Sequence, residues 1–332
     1  IWISALILKV LRQWQIYKET DMQNILITGV AGFIGSNLAD RLLKNGGYRV
    51  VGIDNLSYGV KEQIPGGVDF KQVDIRSNDL HQHFKDIDYV FHFAAKNSIS
   101  DCQKDPSETA DINIRGTINI FEAARKYPIK KIIYAESSAI YEGSEIFPTP
   151  ESDEHPRSFY SISKYATKYF ADAYYRFYGI QSTALRYFNV YGPRQDYRRS
   201  IPPLFSAIII NLLKGTSPHI YGDGSKRRDF IYIDDINDFH LQCMENAETT
   251  GKVFNLGSGI NYSVNEIYDI IKGLLNTEIQ PIYLDDLPGE AFENLADISQ
   301  AIKMGWSPST DIRTGMLESI NYIRDEIESK RI

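Results

Sequence analysis

Three glycines spaced three residues apart, Gly29, Gly32 and Gly35 in TGVAGFIGSN, constrain this chain more than any other feature. They lie between a strand-like run, NILITG, and a helical pattern over about 33–46. Glycine at such a junction permits a tight turn, close approach of the backbone to a pyrophosphate, and packing of the helix on the strand. The helix N-terminus then faces the negative charge. Asp54 ends the next run, RVVGID, where a carboxylate accepts hydrogen bonds from ribose hydroxyls and repels a 2′-phosphate. The expected cofactor is therefore NAD, not NADP. Asp74, closing VDFKQVDI, is placed to reach the adenine.

The same alternation continues. NILITG, RVVGID, DYVFHFAA, KKIIYAES and STALRYF are short and nearly continuously apolar, as strands buried on both faces should be. Helical patterns at about 33–46, 105–126 and 158–178 separate them, which predicts a parallel sheet with helices on both sides. After Tyr191 the segment YGPRQDYRRSIPPL reads as a loop into a second lobe. That lobe is expected to hold a helix at about 203–214, a strand pair near 219–233, and helices near 263–275 and 311–328. FNLGSG, with residues 253–259, is expected to return to the first sheet. The division is thus 22–190 for the cofactor and mainly 191–332 for the substrate.

With 332 residues and 43% apolar content the chain can bury two such lobes. A net charge of −7 argues against nucleic acid as a partner. Two cysteines without metal-ligand spacing and six scattered histidines suggest neither a disulfide framework nor a metal site, and a reducing, cytoplasmic setting. Residues 1–21, IWISALILKVLRQWQIYKET and the following Asp, carry an apolar run too short to span a bilayer. They read as an upstream extension, with an amphipathic surface helix as the other reading, and no membrane association of the fold is expected.

Catalytic residue types also fall in pattern. Tyr160 and Lys164, at i and i+4 of a predicted helix, share one face. A phenol is a poor base near neutrality, but a neighbouring ammonium and a positive nicotinamide favour its ionised form. The preceding strand ends in Ser137 and Ser138, at the sheet edge that lines the ligand crevice in open α/β folds. A hydroxyl there can donate to a sugar oxygen and relay a proton to the tyrosine.

Taken together, the Gly-x-x-Gly-x-x-Gly turn, Asp54, Ser137 and the Tyr160–Lys164 pair resemble the extended short-chain dehydrogenase/reductase family, from Met22 to the C-terminal helix. The resemblance implies a Rossmann-type doubly wound sheet with a smaller α/β substrate-binding lobe. It also implies NAD contacts from Phe33, Ile34, Asn55, Ile75, Phe93, Ala94, Ala95, Asn113 and Tyr187, beside the glycines, Asp54, Asp74, Tyr160 and Lys164. The family pattern selects Ser137 as the relay, four residues before Tyr141, with Ser138 as its neighbour. Asn189 is the implied contact to a nucleotide sugar, and Arg228 the residue that grips its diphosphate. Related enzymes dimerise through the helices corresponding to about 105–126 and 158–178, which implies a homodimer. Tyr169, Phe170, Tyr174 and Phe177 supply apolar surface on the second.

The family's reactions diverge after a 4-keto sugar forms. Dehydratases carry an Asp-Glu pair after the strand-end hydroxyl, and decarboxylating relatives a glutamate. Here Ser138 and Ala139 stand at those positions, so the implied reaction is 4-epimerisation of a nucleoside-diphosphate sugar. A second family arginine is replaced by Leu287, and Glu290 stands for an aspartate, which shifts the diphosphate contact toward Arg194, Arg198 or Arg199. Asn294, smaller than the tyrosine that restricts related pockets to plain hexoses, implies room for a 2-acetamido group. The other readings are an NAD-linked nucleotide-sugar reductase or dehydratase-like enzyme, and a non-catalytic NAD-binding module.

Overall fold

The computed structural model describes residues 22–197, 202–286 and 291–332. Residues 1–21, Arg198, Arg199, Leu287 and Glu290 lie outside the described residues.

Seven strands form one wholly parallel sheet: β1 (Gln23–Thr28), β2 (Tyr48–Asp54), β3 (Asp69–Gln72), β4 (Tyr89–His92), β5 (Lys131–Ser137), β6 (Ser182–Tyr187) and, later in the chain, β10 (Val253–Leu256). Their order is β10-β6-β5-β4-β1-β2-β3, so the winding reverses between β1 and β4 and opens a crevice there. This is the doubly wound sheet that the alternating pattern predicts. Successive residues explain why the middle of β1 is apolar without alternation: Ile25 and Ile27 enter the core that holds Leu38, Leu42 and Phe239, and Leu26 enters the one that holds Phe84 and Phe121. Both faces are dry there, so a polar residue at Ile25, Leu26 or Ile27 would be costly, whereas the buried Thr28 hydroxyl at the strand end is paired with His92.

Helix α1 (Phe33–Asn45) follows the glycine turn. The pattern over about 105–126 is not one regular helix. A π-type turn, Asp111–Arg115, separates Pro106–Ala110 from α2 (Gly116–Ala124). Helix α3 (Phe159–Tyr178) starts on a reciprocal Ser158–Ser161 cap and stops at Gly179, whose φ of 70° takes the left-handed conformation that closes a helix.

The remaining strands are β7 (Asn189–Tyr191), β8 (His219–Tyr221), β9 (Arg227–Tyr232), β11 (Asn261–Ser263) and β12 (Ile282–Leu284). The expected pairing of the two strands near 219–233 is wrong. β9 has its two edges taken by β7 and β11, so β8 pairs instead with β12. The longer helices of this part are α4 (Leu204–Leu213), α5 (Ile233–Glu245), α6 (Val264–Leu275) and α7 (Ile312–Glu328), α4 packing on α6 and α7. The sequence reading omits α5. It follows β9 without an intervening residue, and its N-cap, Tyr232, makes no side-chain cap. Neither a turn nor a capping residue therefore marks its start. Though it follows a strand of the smaller sheet, α5 packs on α1 of the cofactor half.

Candidate active site

At the crevice, Gly29 has φ +75°, and a Cβ there would sit 2.8 Å from the Ala94 nitrogen. A Cβ on Gly35 would lie 2.3 Å from the Gly29 carbonyl, so the first turn of α1 rests directly on the loop backbone. Gly32 donates its N–H to that same carbonyl at 3.0 Å and is the N-cap of α1. No side chain caps α1, and its first turn, which includes Phe33 and Ile34, carries no acidic residue. Such a terminus suits an anion. The Asp54 carboxylate accepts the N–H groups of Ala31 (3.0 Å) and Leu56 (2.8 Å), tying the glycine turn to the end of β2. Burial pushes its pKa up, and the two backbone donors pull it back. These features fit a dinucleotide: a cradle with no room for Cβ atoms, an uncapped helix start, and a carboxylate at the adjoining strand end.

Asn55 donates to Asp74 at 2.9 Å, and Arg76 grips the same carboxylate through Nε (2.9 Å) and Nη2 (2.7 Å). The Arg76 hydrogen bond holds Asp74 well below the usual carboxylate range, so it meets any ligand as an anion already paired. Ile75 is buried beside it. Phe93, Ala94 and Ala95 follow β4 at half-buried positions. His92 lies between the Thr28 (2.7 Å) and Thr117 (2.9 Å) hydroxyls; burial, then the Lys164 charge, brings its pKa down to about 3, and it stays neutral. Tyr187 is buried, its hydroxyl 2.7 Å from His240 Nε2.

Tyr160 and Lys164 fall on α3 as buried residues. Lys164 donates to the Ala135 carbonyl at 2.8 Å, two residues before Ser137 on β5, and burial brings it down to about 8. Ser137 accepts the Ala139 N–H at 3.2 Å, an arrangement that leaves its own O–H as a donor. Ser138 begins the short turn after β5. Asn113, in the π-type turn, bridges the Lys96 backbone (2.8 and 3.0 Å) and the Ser163 hydroxyl (2.9 Å) on α3. The extra residue of that turn thus coincides with the side chain that joins the β4 loop to the tyrosine helix.

On the second lobe, Asn189 donates to the Asp229 carbonyl (2.8 Å) and to Asn294 Oδ1 (3.2 Å). Asn294 Oδ1 also accepts the Asp229 N–H at 2.8 Å, so this amide links strand and loop. Arg228, on β9, donates to the carbonyls of Arg227 (2.9 Å) and Phe292 (3.2 Å). Arg194 is held on α1 instead, through the Ser36 carbonyl (3.2 Å) and Asp40 (3.8 Å). Glu290 lies outside the described residues.

Two buried groups escape the sequence reading. Arg186 is wholly buried and binds Glu136 (2.6 Å), Tyr141 (2.9 Å), the Glu151 carbonyl (2.7 Å) and Glu154. Asp229 collects the N–H groups of Ser258 (2.6 Å), Gly259 (3.0 Å) and Ala296 (3.0 Å). A charge inside an otherwise apolar strand is the available signal for Glu136 and Arg186. Asp229 is hidden in the run KRRD, which reads as a solvated turn. Among the described residues no group of His, Cys, Asp or Glu could hold a metal ion, and no helix is long and apolar enough to cross a membrane.

Residues 25–257 match the model of the NAD dependent epimerase/dehydratase family. The chain is 32% identical to a UDP-glucose 4-epimerase of Mycolicibacterium smegmatis, over 91% of this chain and 98% of that one. Among solved structures it resembles the UDP-glucose 4-epimerase of Thermotoga maritima with UDP-glucose (TM-score 0.88, 34% identity, covering 92% and 100%). It also resembles a UDP-N-acetylglucosamine 4-epimerase of Methanobrevibacter ruminantium in complex with UDP-N-acetylmuramic acid (TM-score 0.88, 33% identity, covering 92% and 99%).

Proposed function

The chain belongs to the NAD dependent epimerase/dehydratase family and is an NAD-dependent nucleotide-sugar 4-epimerase, and we propose that it acts on a UDP-hexose or UDP-N-acetylhexosamine through the residues described above. The observation that supports the residue assignment is that Lys164 bonds the Ala135 carbonyl two residues before Ser137, at the same C-terminal end of the parallel strands where the uncapped α1 begins.

When bound, NAD would supply the redox chemistry at C4 of the sugar, as acceptor and then donor of hydride. The chain does the rest. The α1 N-terminus, with Gly29, Gly32 and Gly35, holds the pyrophosphate, and Asp54 the ribose. Tyr160 removes the proton of the C4 hydroxyl, and the Lys164 ammonium favours the phenolate. Ser137, with Ser138 beside it, donates to the same sugar oxygen. Asn113 supports the helix from behind. Asn189 and Asn294 face the sugar, and Arg228 takes the diphosphate as a planar fork suited to paired oxygens. With Ser138 and Ala139 where relatives that eliminate water carry acids, the ketone has no group to divert it.

The working form is a cytoplasmic homodimer. Phe159, Ile162, Phe170 and Phe177 of α3 are 49%, 48%, 38% and 72% exposed, an apolar face that a second copy would cover. Tyr174 is not part of it, being buried and bonded to Glu122 at 2.7 Å.

The test is incubation with catalytic NAD and, separately, UDP-glucose, UDP-galactose, UDP-GlcNAc and UDP-GalNAc, following the anomeric protons by NMR. Interconversion of a 4-epimer pair without NADH accumulation is expected. Stoichiometric NADH would make the enzyme an oxidoreductase, and no turnover of any of the four would refute the substrate assignment.

A further inference from the structure

The tyrosine and serine assigned above sit on different elements, α3 and the end of β5, with residues 138–158 between them. Their relative position cannot follow from either element alone. Lys164 ties α3 to β5 at the Ala135 carbonyl, and a second side chain joins the turn after β5 to the first turn of α3. Glu142 lies just after the turn Ser138–Tyr141, and its own N–H donates to the Ala139 carbonyl at 3.1 Å. Its carboxylate reaches the start of α3. Oε2 accepts the N–H of Ser158 (2.8 Å), the N–H of Arg157 (3.1 Å) and the Ser161 hydroxyl (2.9 Å), and Oε1 accepts the Ser158 hydroxyl (2.8 Å).

In the common capping box the carboxylate comes from the third residue of the helix itself. Here that residue is Ser161, and the carboxylate is supplied from sixteen residues before the N-cap. The backbone reinforces the junction: His155 donates to Ile140 (2.9 Å), and Gly143 to His155 (3.2 Å). The Arg157 guanidinium lies over Gly143, where a Cβ would come within 2.6 Å of its Nε.

The geometry points to Glu142 as a positioning residue of the epimerase reaction, clamping the serine turn to the first turn of the tyrosine helix. This inference rests on the catalytic roles proposed for Ser137 and Tyr160. Tyr160 is the second residue of α3, inside the turn that Glu142 caps. Beyond that turn α3 is anchored independently, by Ser163 to Asn113 (2.9 Å), Lys164 to the Ala135 carbonyl (2.8 Å) and Tyr174 to Glu122 (2.7 Å). Loss of Glu142 should therefore loosen the reacting geometry while leaving the fold in place.

The experiment compares wild type, Glu142→Ala and Glu142→Gln for kcat, KM and melting temperature on whichever UDP-sugar pair the wild type interconverts. Glu142→Ala should lower kcat about tenfold or more, since misplacement by about 1 Å can cost about 10²-fold, with KM changed less than about twofold. Glutamine keeps one oxygen for the Ser158 and Arg157 N–H groups and the Ser161 hydroxyl, and its amide can donate to the Ser158 hydroxyl, so Glu142→Gln should recover most of that loss. Wild-type kcat in Glu142→Ala overturns the inference, as does a loss confined to KM or shared in full by Glu142→Gln. If Glu142→Ala does not fold, Glu142→Asp decides. It keeps the charge but shortens the clamp, and undiminished kcat would count against the inference. An inactive wild type would instead strike the functional reading on which the inference stands.

Discussion

The two ends of the ligand crevice are built by different means. At the cofactor end the determinants are close in sequence and set by backbone. Gly29 and Gly35 admit no side chain for steric reasons, a Cβ on Gly32 would press on the Gly29 carbonyl at 3.2 Å, and Asp54 locks the turn through backbone N–H groups. At the sugar end they are side chains brought together from far apart: Asn189 meets Asn294 across 105 residues, and Asp229 meets Ser258 across 29. A site made from backbone tolerates almost no substitution. One made from long-range amide contacts can be retuned one residue at a time, which suits an enzyme class whose members share a cofactor and differ in the sugar.

This contrast ranks what mutation should do. The largest effect belongs to neither end but to the chemistry between them: Tyr160→Phe should lower kcat by about 10²–10⁴-fold with the folded state and bound NAD retained, measured by the same anomeric NMR assay. At the cofactor end, Gly35→Ala forces a Cβ to 2.3 Å from the Gly29 carbonyl, a backbone atom that cannot swing aside. It should cost about 1–3 kcal/mol in denaturant unfolding and abolish copurifying NAD. An alanine variant that keeps NAD would break the comparison.

Acid titration separates the ends again. His92 and His240 are buried against the main sheet and its helix α5, and burial lowers both to about 3. In the unfolded chain they take protons near pH 6.5, so the unfolded state binds more protons as pH falls below that value. Their contribution to stability is full above about 6.5 and declines toward 3, by at most about 1.4 kcal/mol per pH unit for each. Urea midpoints measured from pH 7 to 5 should fall less steeply in His240→Gln, and an unchanged slope would show that His240 titrates normally. The smallest effect is expected at the sugar end. Asn294→Ala removes the acceptor for Asn189 and the Asp229 N–H, a loss of about 0.5–1.5 kcal/mol in kcat/KM with Tyr160 chemistry intact. Asn294→Tyr should penalise N-acetylated sugars against plain hexoses, and equal turnover of both would remove Asn294 from the selectivity account.

The same contrast explains which parts of the molecule are legible in its sequence. The doubly wound sheet is legible because most of its strands carry short, mainly apolar runs and its glycine turn is local. α5 is not, because it starts directly after β9 with no cap to announce it. The partner of β8 differs from the expected one because both edges of β9 are occupied, by β7 and β11. Glu136 and Arg186 stand out as charges inside apolar strands, but their pairing spans 50 residues, and no local pattern announces it. Glu142 carries no signal at all, since its partners start fifteen residues away and three of its four contacts are made to serine.

The central claim is that hydride leaves C4 of the sugar and comes back to the same carbon within one binding event. A UDP-sugar deuterated at C4 tests it directly, with the product isolated after partial conversion in ordinary water. Epimerisation as described here leaves the deuterium on C4 of the epimer, with no NADH released. An epimer carrying a solvent proton at C4, or a labelled cofactor set free, would contradict it.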